Sequence, residues 1–68
     1  MFDYVRGPNP DKITAAIKAS GLKQSEIAKR LNITQQAVSM WVNQVRRPAP
    51  GHVVALADLF GIDMWDLM

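Results

Sequence analysis

Five side chains in the stretch NITQQAVSMWVNQVRR, residues 32–47, can hydrogen-bond from one flank of a helix: Gln35, Gln36, Ser39, Asn43 and Gln44. At ~100° per residue, Gln35, Ser39, Asn43, Gln36, Met40 and Gln44 fall in that order around one half of the circle. Ala37, Trp41, Val38 and Val42 fill the other half. No charge interrupts the polar half before Arg46. A Gln amide donates and accepts at once, and in that respect it matches the edge of an adenine. The chemistry on offer is directional hydrogen bonding to a polar surface.

Other chemistries lack their residues. The chain has no cysteine and one histidine, His52, so disulfides and thiolate metal sites are excluded and a lone imidazole makes no metal centre. Asp58, Asp63 and Asp66 have no nucleophile or base arranged around them, and Asp63 is more simply a helix cap. No phosphate loop is present, and 68 residues leave no room for a deep substrate pocket. Expected are no enzyme activity, no cofactor and no small-molecule substrate.

The elements that must hold the polar flank can be placed from punctuation. Residues 1–8 read as an N-terminal arm in which Phe2, Tyr4 and Val5 are apolar and Gly7 and Pro8 break regular structure. Residues 9–68 read as one domain. Asn9, Pro10 and Asp11 cap, start and charge a first helix, Ile13, Ala16 and Ile17 give it a stripe, and Gly21 ends it. A second helix over about 24–31 buries Ile27, Ala28 and Leu31, with Glu26 and Arg30 four apart. Asn32 tolerates the left-handed turn that follows, Ile33 plugs into the core, and Thr34 caps a third helix over about 35–44. A fourth runs from about 50 to 60 on Val53, Leu56, Ala57 and Phe60, and Gly61 stops it. Asp63 opens a last turn or short helix containing Trp65, Leu67 and Met68. The fold class is all-α: a compact bundle of five short helices with no strands.

Helices two and three, joined by a four-residue turn, have the spacing of a helix-turn-helix over about 24–44. In that arrangement the second helix enters the major groove of DNA. Gln35, Gln36 and Ser39 suit base edges, and Met40 is either a contact to a thymine methyl or a tolerated exposed side chain. Affinity requires phosphate neutralisation as well. The net charge is only +2, but residues 18–47 carry Lys18, Lys23, Lys29, Arg30, Arg46 and Arg47 against Glu26 alone. Residues 48–68 carry Asp58, Asp63 and Asp66 and no Lys or Arg. Arg46 and Arg47 lie just beyond the third helix, and Lys23 and Gln24 start the second, whose N-terminus can receive a phosphate.

QSEIAKRLNITQQAVSMW, through Gln24, Ala28, Ile33, Val38 and Trp41, resembles the helix-turn-helix of the lambdoid phage Cro and repressor family, also called XRE-type. Small Cro-like members, including the YdaS type, are the most similar in pattern, and the likeness covers residues 10–68. The resemblance implies a lambda-repressor-like fold and a homodimer that regulates transcription from a pseudo-palindromic double-stranded DNA operator, in phage, prophage or bacterium. It also implies base contacts from Gln35, Gln36 and Met40, with Ser39 beside them. Phosphate contacts would come from Gln24, Asn43 and the Arg46-Arg47 segment; Lys23 and Thr34, beside the starts of the second and third helices, are further candidates. Three departures stand out: Asn32 replaces the usual Gly, Lys23 and Ala49 replace the usual capping Ser or Thr, and the arm MFDYVRGP lies outside the shared pattern.

Val54, Leu59, Met64, Trp65 and Met68 offer an apolar surface that fits either of two uses. One is a weak homodimer that places two third helices about 34 Å apart, one turn of DNA. The other is a helical protein-interaction or antitoxin-like module that retains the fold. No apolar run approaches the ~20 residues that span a bilayer, and MFDYVRG lacks the apolar centre of a signal peptide. A cytoplasmic, nucleoid-associated protein is expected.

Overall fold

A computed structural model describes residues 8–68. Phe2, Tyr4 and Val5 of the arm lie outside the described residues; Pro8 is buried. Four α-helices follow one another: α1 Pro10–Ser20, α2 Gln24–Leu31, α3 Gln35–Val42 and α4 Pro50–Phe60. A 3₁₀ turn, Met64–Leu67, closes the chain. No strand occurs among the described residues. The expected fifth α-helix is thus a single 3₁₀ turn. The segment has four residues, Asp66 N–H bonds back three residues to the Asp63 carbonyl at 2.9 Å, and Asp63 Oδ1 accepts from Trp65 N–H at 3.1 Å.

Local chemistry sets the helix ends. Asn9 Oδ1 accepts from the N–H groups of Asp11 (2.9 Å) and Lys12 (3.3 Å), with Pro10 at the first helical position. Gly21 ends α1 at φ 74°. Asn32 ends α2 at φ 58°, in the left-handed region where most side chains are strained, and Ile33 N–H returns to the Ala28 carbonyl at 2.9 Å. Lys23 has no acceptor to offer α2, so only the return half of a capping box forms: Glu26 Oε1 accepts from Lys23 N–H at 3.3 Å. α4 starts at Ala49 with no side-chain cap.

Each helix contributes to one core. Ile13 and Ile17 of α1, Ile27 and Ala28 of α2, Val38 and Trp41 of α3, and Val53, Leu56 and Ala57 of α4 are buried together with Leu67. Leu67 draws the 3₁₀ turn under α1, where its carbonyl accepts from Asn9 N–H at 2.9 Å. The Trp41 ring lies 5.4 Å from that of His52, tilted by 46°, which ties the end of α3 to the start of α4.

Candidate nucleic-acid interface

The turn at residues 32–34 delivers α3 in a fixed rotational setting. Ile33 packs against the core, and Thr34 Oγ1 accepts from Ala37 N–H at 3.2 Å. Val38 and Trp41, at 0% and 5% exposure, then hold one side of α3 inside the bundle. The opposite side stands in solvent. Gln35, Gln36 and Asn43 are exposed, while Ser39 and Met40 are half-buried. Asn43 Nδ2 donates to Ser39 Oγ at 3.3 Å, so these two side chains form one polar unit a turn beyond the glutamines. Met40 is less open than a wheel suggests.

The cations flank this side at both ends. Gln24 and Gln35 line one open groove of about 590 Å³ with Lys18, Lys23, Leu22 and Val42. Lys23 is exposed and Gln24 half-buried, so the start of α2 and the start of α3 share a surface. At the far end Arg46 and Arg47 are exposed on the loop before α4, where Arg46 N–H and Val45 N–H both reach the Met40 carbonyl, at 3.3 and 2.9 Å. Thr34 is exposed beside Gln35; its oxygen serves as the α3 cap, leaving its O–H to donate outward.

Gln44 departs from the expected polar flank. α3 ends at Val42, with Asn43 as its cap residue, so the expected extent to residue 44 is two residues too long. Gln44 has φ 60°, a setting that costs roughly 1 kcal/mol for a side chain other than Gly. Its amide reaches along the surface to α1, where Nε2 donates to Asp11 Oδ1 at 3.0 Å and to Thr14 Oγ1 at 3.4 Å. Thr14 Oγ1 donates in turn to the Val42 carbonyl at 3.2 Å. Asp11 and Thr14 carry no local sign of this role, because their partners lie about thirty residues away.

The five apolar residues proposed for an interface separate into two groups. Val54 and Trp65 are exposed, at 51% and 65%. Leu59, Met64 and Met68 are partly buried and pack against the core. Leu59 therefore also has a place within the monomer. Ile62 and Val45 are exposed apolar residues that the helical wheels passed over.

No helix among the described residues is long and apolar enough to cross a membrane. A model of the family described as Helix-turn-helix matches residues 13–64, from the first core isoleucine to the start of the 3₁₀ turn. No curated protein and no solved structure matches the chain.

Proposed function

From the premise that this chain belongs to the XRE-type helix-turn-helix family of DNA-binding domains, we propose that it is a sequence-specific, Cro- or repressor-like regulator of transcription. α3 lies in the major groove of a double-stranded operator. Gln35, Gln36, Ser39 and Met40 meet base edges. Lys23, Gln24, Thr34, Asn43, Arg46 and Arg47 meet phosphates on the two strands that border the groove. The observation that carries this reading is the division of α3, with Gln35 and Gln36 exposed side by side while Val38 and Trp41 are buried behind them.

The regulator acts as a weak homodimer. Val54 and Trp65 supply its exposed apolar contacts, with Leu59, Met64 and Met68 beneath them. Two-fold pairing would set the α3 helices about 34 Å apart on one face of the duplex. Selection from random duplex DNA tests site, symmetry and spacing together. A pseudo-palindrome with half-sites about one turn apart is expected. Enrichment of no sequence, or binding indifferent to salt, would count against the proposal. Replacing Arg46 by Ala should weaken all duplexes alike and reduce the salt slope by about 0.9, the share of one phosphate contact.

A further inference from the structure

We propose that Gln44 is a positioning residue for the recognition helix. With Asp11 and Thr14 it locks the end of α3 to the start of α1, and so sets the angle at which Gln35 and Gln36 meet a duplex. The inference rests on the DNA-binding reading of α3 and deepens it.

α3 has only eight residues, and its orientation must be fixed at both ends. The turn through Ile33 and Thr34 fixes the first end. At the second, the last four carbonyls all find partners. Ser39 O accepts from Asn43 N–H, Met40 O from Val45 N–H and Trp41 O from Gln44 N–H. Val42 O accepts from the Thr14 hydroxyl of α1. Gln44 completes this closure by spending both amide hydrogens on α1, one on the Asp11 carboxylate and one on Thr14. The bond to a carboxylate is charge-assisted and stronger than a neutral one.

The clamp lies at the surface and joins Gln44 to residues 30 and 33 positions away. Gln44 takes the positive φ of a left-handed helix terminus, closed locally by its own N–H to the Trp41 carbonyl and by Val45 N–H to the Met40 carbonyl, and a Gly would adopt that φ without strain. The Gln44 amide is taken up by α1, so Gln44 acts on the duplex only through the helix it holds.

Gln44→Gly separates positioning from stability, because it relieves φ while removing the amide. Asp11→Ala removes the acceptor, and Asp11→Asn keeps one. The measurements are anisotropy with the duplex selected by the wild-type protein, anisotropy with a scrambled duplex of equal composition, melting temperature, and residual dipolar couplings of α1 and α3 in the free protein. Gln44→Gly should melt no lower than wild type. It should bind the selected duplex about three- to tenfold more weakly, on the scale of the two intramolecular hydrogen bonds it removes. Binding to the scrambled duplex and the salt slope should not change, and the couplings should report a changed α1–α3 angle. Asp11→Ala should weaken binding to the selected duplex in the same way but melt lower, because it leaves the Gln44 φ unrelieved and removes the acidic residue of the first turn of α1. The double variant should bind no more weakly than Gln44→Gly, and Asp11→Asn, which keeps a neutral acceptor, should fall between wild type and Asp11→Ala. Unchanged couplings in Gln44→Gly, or equal losses on both duplexes, would overturn the clamp. If the wild-type protein selects no duplex, the DNA-binding reading fails, and the couplings alone then decide whether the clamp exists.

Discussion

α3 turns Val38 and Trp41 into the core, and α4 turns in Val53, Leu56 and Ala57. What each leaves outside differs. α3 exposes Gln35 and Gln36 and holds Ser39 and Asn43 as a bonded pair. α4 exposes Val54 and Asp58, and the turn after it exposes Ile62 and Trp65. Their ends differ too. α3 is capped by Thr34 and closed by Thr14 and Gln44, whereas α4 starts on Ala49 without a side-chain cap. The buried stripes make both helices part of one fold, and the free sides differ in their chemistry. A face of amides fits a ligand rich in donors and acceptors, and a face with an open Trp and Val fits another apolar surface.

The comparison can be broken most forcefully at its shared base. Trp41→Ala should cost roughly 3–5 kcal/mol, against a total of roughly 3–10 kcal/mol for a chain of this length. Urea denaturation should show a largely unfolded variant or a sharply lowered midpoint. Retention of wild-type stability would mean that α3 is not anchored by that ring.

The free side of α3 comes next. Gln35→Ala or Gln36→Ala should lose about 1–3 kcal/mol of discrimination at one or two base pairs. The melting temperature should hardly move, since both side chains are exposed. Repeating the duplex selection with each variant reads the effect directly; an unchanged site preference would remove that residue from the reading face.

On the α4 side, Trp65→Ala should weaken self-association by roughly 2 kcal/mol, about thirtyfold, if Trp65 anchors the dimer. Sedimentation of the free protein checks this, with folding unaffected. Identical sedimentation in the variant and wild type would take Trp65 out of the interface. The smallest effect concerns the helix starts. Ala49→Ser should raise stability by up to about 1 kcal/mol by supplying the acceptor that α4 lacks, and Thr34→Ala should lower it by a similar amount. A drop in DNA affinity in the more stable Ala49→Ser variant would show that the open start of α4 serves binding.

The helix bounds, the end of α3 apart, were legible because their signals are local. Asn9 with Pro10, Gly21, Asn32, Thr34, Pro50, Gly61 and Asp63 each act within one turn of where they stand. The exposure of Gln35 and Gln36 was legible for the same reason, since a single wheel fixes it once Trp41 is assigned inward. The direction of Gln44 was not. Of the two neighbours, Asn43 is the residue type suited to a left-handed setting, yet Asn43 has φ −86° and Gln44 takes the positive φ. The chain closes α3 on Gln44, with Gln44 N–H on the Trp41 carbonyl and Val45 N–H on the Met40 carbonyl, and the amide then meets Asp11 and Thr14, which no sequence window around Gln44 contains. The partial cover of Leu59, Met64 and Met68 against the core was hidden for a related reason, since a wheel gives the side of a helix but not its neighbours.

The measurement that tests the central claim most directly is a nitrogen-detected titration of the protein with its selected duplex, following the side-chain amides of Gln35 and Gln36 against the indole N–H of Trp65. The two glutamine amides should shift strongly at stoichiometric duplex, before and beyond any change at Trp65. Glutamine amides that stay unmoved while the signals of Val54 and Trp65 carry the whole response would contradict the assignment of α3 as the helix that reads DNA.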